Sequence, residues 1–334
     1  MQFFLIFLTA LVFSVIGTPL ARRLGLLAGV VSIPNARRIN TVPVPQLGGA
    51  AMYLAFIVGL LLFGERAEIR QLVAILLGAT LMSLLGLIDD RWELHAGLKL
   101  VGQIGAALML IASGLHVQLL HSIVLDSLLT ITWVVGITNA LNLLDNMDGL
   151  SGGVAAVAAA NFLLLAALNP HPQFLVGGLA AALLGACLGF LRYNLNPATI
   201  FMGDTGSLFI GFILAAVGIK LRFANTNAVT WMVPLIVLAV PLFDTTLVFV
   251  SRLRRGRNPL TTPGKDHVSH RLVALGLTRR EAVLTCWIIG FAAGMVATFL
   301  TKATILQAYA VGAALLASGI VGIAWLERRA PGGL

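Results

Sequence analysis

The chain has 334 residues, of which 59% are apolar and 10% charged. An ordinary soluble domain is about 25% charged, so a water-soluble globular enzyme is excluded, and dense hydrophobicity excludes disorder. Basic residues exceed acidic ones by nine, but no basic stripe interleaved with stacking aromatics accompanies them. That pattern points away from nucleic acid and toward lipid headgroups or an anionic substrate.

Runs of about 20 apolar residues predict membrane-spanning helices. Eleven occur in chain order, over approximately 1–21, 47–63, 70–88, 98–115, 123–144, 150–168, 173–191, 206–219, 229–250, 281–301 and 304–326. The eighth is the shortest. Strand-type alternation is absent, so the expected fold is all-α and polytopic, not an outer-membrane barrel. The first run has no basic residues before it and is followed by Arg22 and Arg23, which predicts an uncleaved first helix with its N-terminus outside. With eleven helices, 17 of the 22 Lys and Arg residues fall on the predicted cytoplasmic side and five (Arg66, Arg70, Lys220, Arg222, Lys302) on the other. The bias places the C-terminus inside. No internal repeat and no separate soluble domain is evident, so residues 1–334 read as one transmembrane catalytic domain containing a basic cytoplasmic loop at 251–280. Cys187 and Cys286 lie in apolar runs and read as packing residues.

Ten of the thirteen acids fall on that same predicted side, all but Glu65, Glu68 and Asp126. Positive-inside bias does not account for acids, and acids at membrane depth are costly and usually functional. The first cluster is Asp89-Asp90-Arg91-Trp92-Glu93, directly after an apolar run. Adjacent carboxylates cannot face the same way on a helix, but at its end one can enter a cleft while the other binds backbone or a cation. The alternative is a solvated helix end with Arg91 as partner.

The second cluster runs from Asn139 through Asn142, Asp145, Asn146 and Asp148 to Gly149 and Gly153. Its roughly three-residue spacing predicts one shared helix face. A lone membrane Asn is often helix–helix glue; four polar steps ending in glycines favour a site. The third, Asn194-Leu-Asn196-Pro197 to Phe201-Met-Gly203-Asp204-Thr205-Gly206-Ser207, surrounds one acid with small residues that admit an anion while the carboxylate holds a hard cation. It has no Walker Gly-Lys-Ser/Thr signature. The last is Asp266-His267-Val-Ser269-His270-Arg271-Leu272. Without thiolates or a His-Glu-x-x-His pattern, phosphate contact or proton handling fits this segment better than zinc. Asp244, near Pro241, reads either as a packed helix-end acid or as support for a neighbouring site. His95, His116, His121 and His171 lie at loop edges and are assigned no role.

Together these four clusters, in this order over about residues 35–280, resemble the polyprenyl-phosphate N-acetylhexosamine-1-phosphate transferase family. The resemblance implies transfer of a sugar 1-phosphate from a UDP-sugar to a membrane polyprenyl phosphate with release of UMP, at the cytoplasmic face of a bacterial inner membrane. It implies Asp204 as the main Mg²⁺ ligand, with Mn²⁺ as an alternative ion and Asn142 assisting. Asp89 is implied to deprotonate or orient the lipid phosphate, with Asp90 beside it in the catalytic pair. Asn139, Asp145 and Asp148 belong to the substrate-binding set, the two acids at the nucleotide end, and Asn194 and Phe201 fall near uridine. His267, His270 and Arg271 fall on a loop that contacts pyrophosphate or sugar, and Lys99 is implied to hold phosphate. Ser269 stands where many members carry another His, and Asn40-Thr41 occupy a stretch where His or Lys is expected. The lack of a three-histidine run argues against the muramoyl-pentapeptide branch and makes UDP-N-acetylglucosamine the first expectation as donor. A transporter and an inactive lipid-binding scaffold are the competing classes, and a homodimer is left open.

Overall fold

The computed structural model describes residues 1–32, 43–64, 67–169, 173–259, 262 and 264–329. Arg37, Arg38, Asn40, Thr41, Glu65, Arg66, His171 and Pro263 lie outside the described residues. The chain divides into two compact units, Met1–Arg222 and Phe223–Leu334.

The first unit contains α1 (Gln2–Ala28), β1 (Val31–Ser32), β2 (Val44–Pro45), α2 (Gly48–Phe63), α3 (Ile69–Trp92), α4 (Ala96–Ala112), α5 (Ile123–Leu144), α6 (Leu150–Ala167), α7 (Phe174–Asn194) and α8 (Gly203–Lys220). Between its polar ends, from Leu208 to Ile219, helix α8 is apolar all round and is the core element, packed against α3 and α5 and more lightly against α2, α6 and α7. A helix without a polar face has to be enclosed by others. Phe209 and Phe212 of α8 itself, and Phe56, Phe162 and Phe190 of α2, α6 and α7, are fully buried. Helix α1 packs on α7 and α2 and exposes Phe4, Leu8, Val12, Ile16, Leu20 and Leu24 at four-residue spacing, an apolar stripe suited to lipid rather than water. The antiparallel β1–β2 pair, Val31 opposite Pro45 and Ser32 opposite Val44, is not foreseen by the sequence reading.

Helices α3 and α8 run antiparallel, as their end contacts show. Glu68, before α3, pairs with Lys220 at the end of α8. At the opposite end Asp90 of α3 holds the first backbone amides of α8. The close approach there depends on glycine. A Cβ at Gly86 would overlap the Asp204 carbonyl, and Gly203 has φ 66° with the Asp90 carboxylate and the Gln46 carbonyl behind it. Any larger residue at Gly203 would carry both left-handed backbone strain and a clash.

The second unit contains α9 (Asn227–Thr230), α10 (Met232–Val237), α11 (Ala239–Arg254), α12 (Val268–Ala274), α13 (Arg279–Leu300) and α14 (Ile305–Arg329). The ninth apolar run, read from sequence as one helix, is bent by 73° between α10 and α11. Pro241 supplies no amide to the ladder and crowds the carbonyl four residues earlier, at Val237, which accounts for the break. A capping box joins Thr278 and Glu281 at the start of α13.

Among the described residues, eight helices are long and apolar enough to cross a membrane: α1, α3, α5, α6, α7, α8, α13 and α14. The bent α9–α11 segment passes the same test as a pair, and α2 and α4 are shorter apolar helices. The protein is thus a predominantly helical, multi-span membrane protein. Both cysteines are free and buried.

Candidate active site

The two adjacent acids at the end of α3 do diverge. Asp89 accepts from the Leu94 backbone N–H through Oδ1 at 2.7 Å and from Lys99 Nζ through Oδ2 at 2.8 Å. Asp90 turns the other way and accepts from the backbone N–H groups of Asp204 (2.8 Å) and Thr205 (3.0 Å) and from the Thr205 hydroxyl (2.7 Å). These amides are orphan donors at a helix N-terminus, where a carboxylate is favoured. Asp90 therefore fixes the start of α8 and, with it, the Asp204 side chain.

Lys99, on the first turn of α4, bridges Asp89 and Asp204, the latter at 3.2 Å. The other Asp204 oxygen accepts from Asn142 Nδ2 at 2.9 Å, and the same amide also donates to Ser207 Oγ at 2.9 Å. Four helices thus converge on one group: α3, α4, α5 and α8 each contribute a side chain to the Asp204 surroundings. In this arrangement Asn142 orients Asp204 through its amide nitrogen.

The shared-face prediction for the second cluster is corrected. Helix α5 ends at Leu144, and Asp145–Gly149 form a loop that closes at Gly149, with φ 77°, before α6. Asp148 accepts from Asn196 Nδ2 (2.9 Å) and the Ala198 N–H (3.0 Å). Asn194 accepts from the Gly149 N–H and donates to the Ile200 carbonyl, both at 2.9 Å. These side chains staple the loop after α5 to the loop after α7. Phe201 is held by its backbone, donating to the Pro45 carbonyl and accepting from Gly48 N–H. Desolvation, reinforced by the fields of Asp204, Asp90 and Asp148, pushes the Asp145 carboxyl up to about 8.

Asn139 is drawn away from the cluster. Its amide exchanges two hydrogen bonds with buried Gln103 of α4, at 2.7 and 3.2 Å, and donates to the Val135 carbonyl. Asn139 thus acts as helix–helix glue between α5 and α4, with Gln103 as its partner. Replacing Asn139 by Leu is expected to leave kcat nearly unchanged and lower stability in detergent by about 1 kcal/mol, read from denaturation monitored alongside the transfer rate.

In the second unit, His267 Nδ1 lies 2.7 Å from Asp244 Oδ2, and the Val268 N–H donates to Asp244 Oδ1 at 2.7 Å. Arg271 is 1% exposed. Its guanidinium is taken up by the Asp266 carbonyl, Ser251 Oγ and Glu327, so the structure places it as an internal clamp rather than as an open anion contact. Although desolvation opposes it, the Arg255 and Arg252 guanidiniums hold the Asp266 carboxyl below the usual range. The His270 ring has its centroid 6.3 Å from that of His267. Burial, followed by the charges of His267 and Lys265, lowers its pKa to about 4. Since His270 titrates lower in the folded chain than the ordinary value near 6.5, its contribution to stability is present above that value and lost as pH falls toward 4. Thermal unfolding of the His270→Gln variant should accordingly lose part of the acid-side decline seen in the parent.

At one end of the first-unit helical bundle, acidic hard-oxygen groups thus gather around Lys99, with Asp89 and Asp204 sharing its ammonium. A family model described as glycosyl transferase family 4 matches residues 72–222, which span every one of these groups. Across 308 residues the chain is 34% identical to a Bacillus subtilis protein named "probable undecaprenyl-phosphate N-acetylglucosaminyl 1-phosphate transferase", covering 90% of this chain and 85% of that one. It is 33% identical over 370 residues to a Mycolicibacterium smegmatis protein named decaprenyl-phosphate N-acetylglucosaminephosphotransferase, covering 98% and 90% of the two chains. A Salmonella typhi protein named undecaprenyl-phosphate alpha-N-acetylglucosaminyl 1-phosphate transferase is 27% identical over 81% of this chain and 76% of its own. The chain belongs to glycosyl transferase family 4, among the polyprenyl-phosphate N-acetylhexosamine-1-phosphate transferases.

Proposed function

We propose that the protein transfers N-acetylglucosamine 1-phosphate from UDP-N-acetylglucosamine to a polyprenyl phosphate, releasing UMP and leaving a lipid-linked pyrophosphoryl sugar. The observation that carries this reading is the Asp89–Lys99–Asp204 bridge at one end of the first-unit bundle. It offers a cation and carboxylates where a lipid phosphate and a nucleotide diphosphate would meet. The site lies at helix ends, and a transporter site is expected nearer the bilayer middle.

Mg²⁺ fits the donor set. Asp204 and Asp145 are hard oxygen donors in a cluster whose acids outnumber its lysine, and burial first, then the neighbouring carboxylates, raise the Asp145 carboxyl. Among the described residues no three His, Cys, Asp or Glu side chains form a ready-made metal cage. Mg²⁺ commonly binds through one or two carboxylates and completes its shell with water and substrate phosphates. When bound, the ion would neutralise charge building on the diphosphate.

The protein's own residues then position and neutralise, which is most of what phosphoryl transfer requires. A phosphate monoester has a second pKa of about 6, so the acceptor is already largely dianionic at neutral pH. Asp89, with both oxygens engaged, is suited to orient the acceptor through Lys99 more than to remove a proton or act as a nucleophile. The lipid phosphate oxygen attacks the phosphorus attached to the sugar, and the bond to UMP breaks. Isolation of a phosphorylated Asp89 during turnover would overturn this direct route. Asp90 acts by holding α8 in place.

We further infer eleven crossings, with α2, α4 and the bent α9–α11 segment added to the eight long helices, the N-terminus outside and the site on the cytoplasmic face of a bacterial inner membrane. In support, Arg22, Arg91 and Lys99 bond at the same bundle end as Asp204, whereas Arg70 and Lys220 bond at the other. The test is to supply membranes containing the protein with UDP-N-acetylglucosamine, undecaprenyl phosphate and Mg²⁺ and follow UMP and glycolipid. Both should form together; absence of product with every UDP-N-acetylhexosamine tried would reject the reading.

A further inference from the structure

We infer that Asp244 is a positioning residue that sets the tautomer of His267 and thereby which ring nitrogen is offered for chemistry. This inference rests on the proposed transfer reaction for its kinetic consequence. The geometry lies wholly within the second unit. Asp244 is 0% exposed, on α11, and uses both oxygens on one short stretch: Oδ2 on His267 Nδ1 and Oδ1 on the Val268 N–H. An ionised carboxylate only accepts, and Oδ1 already accepts from the Val268 N–H, so we assign the proton of the Asp244–His267 bond to Nδ1. Nε2 is then the ring nitrogen that remains, the ring's bond to Asp244 being made through Nδ1. An imidazole oriented in this way presents Nε2 in one direction, as a lone pair when neutral and as a donor when protonated.

The surrounding charges do not duplicate the effect. His270 of α12 stacks edge-on to His267, with Lys265 before α12 and Arg279 at the start of α13 as the nearby cations. Asp266 is committed to Arg252 and Arg255, and Glu327 to Arg271 and Arg254. Among these groups Asp244 alone bonds the His267 ring. Substituting Asn at this position retains an oxygen for the Val268 N–H and turns an N–H toward Nδ1. The proton must then move to Nε2, so that nitrogen loses its lone pair without loss of the helix start. An analogous exchange in a hydrolase triad costs about 10⁴-fold in kcat; for proton handling by an imidazole that forms no bond to the substrate, the expected loss is nearer 10²-fold.

Full-length protein with ¹⁵N-labelled histidine, reconstituted in nanodiscs, tests the inference, with His267 signals assigned by their disappearance in His267→Gln. With the ring neutral, the parent should show Nδ1 protonated and Nε2 bare, and Asp244→Asn should invert the pattern. Transfer assays on the same samples should show kcat lowered about 10²-fold with the donor KM little changed. The double variant should be no slower than His267→Gln alone, because Asp244 acts through that ring. Protonated Nε2 in the parent, or additive losses in the double variant, would overturn the inference. If the parent itself transfers no sugar phosphate, the proposed reaction fails, and the tautomer measurement still decides whether Asp244 sets the ring.

Discussion

Asp204→Asn is expected to lower kcat on the order of 10³-fold, the largest loss at any single polar side chain of the site. Asp204 is where Lys99 and Asn142 converge, one on each oxygen, so the substitution removes the negative charge that both are arranged around. Asn is close in shape and keeps an oxygen for one of the two donors, which separates loss of charge from loss of fold. Initial rates across a Mg²⁺ titration provide the check: the variant should need more Mg²⁺ and still fail to regain the parent rate. A variant that keeps a tenth of the parent rate at saturating Mg²⁺ would remove Asp204 from the metal role. Asp90→Asn makes the companion case. Its contacts are to the α8 backbone and Thr205, so it should lower stability together with rate, whereas Asp204→Asn should lower rate alone.

Lys99→Met should cost on the order of 10²-fold in kcat, since a cation aimed at transferring phosphoryl charge is commonly worth that much or more. Its effect on folding should be small. The Lys99 and Asp204 side chains remain about a quarter exposed, at 26% and 27%, and partly solvated ion pairs contribute at most about 1 kcal/mol. Lys99→Arg is the discriminating control. A planar guanidinium cannot reproduce a compact ammonium shared between Asp89 and Asp204, so only partial recovery is expected. Equal rates for Lys99→Met and the parent, measured with saturating donor and acceptor, would show that the bridge is structural only.

Sequence pattern carried the architecture far because membrane helices announce themselves by composition. Each of the eleven apolar runs corresponds to a helix or, for the ninth, to a broken series of them. The divergence of Asp89 and Asp90 was also legible, since neighbours on a helix end must point apart. What could not be read was the choice of partners across the bundle. Nothing in the run 98–115 marks Gln103 as the mate of Asn139, because that pairing depends on the packing of α4 against α5. The Asp145–Gly149 loop was readable in principle: Asp, Asn, Asp and Gly within five residues is a turn signal, but the helical spacing of the polar residues outweighed it. Arg271 illustrates a different limit. A basic residue beside two histidines suggests an anion site, and only the fold reveals that Glu327, 56 residues later, occupies its guanidinium.

The transfer itself is tested most directly by UDP-N-acetylglucosamine radiolabelled in the phosphate attached to the sugar, incubated with purified protein, undecaprenyl phosphate and Mg²⁺. If the lipid phosphate attacks that phosphorus with UMP as leaving group, all of the transferred label appears in the glycolipid and none in the nucleotide product. Label released with the nucleotide as UDP, leaving a lipid joined to sugar through a single phosphate, would contradict the account.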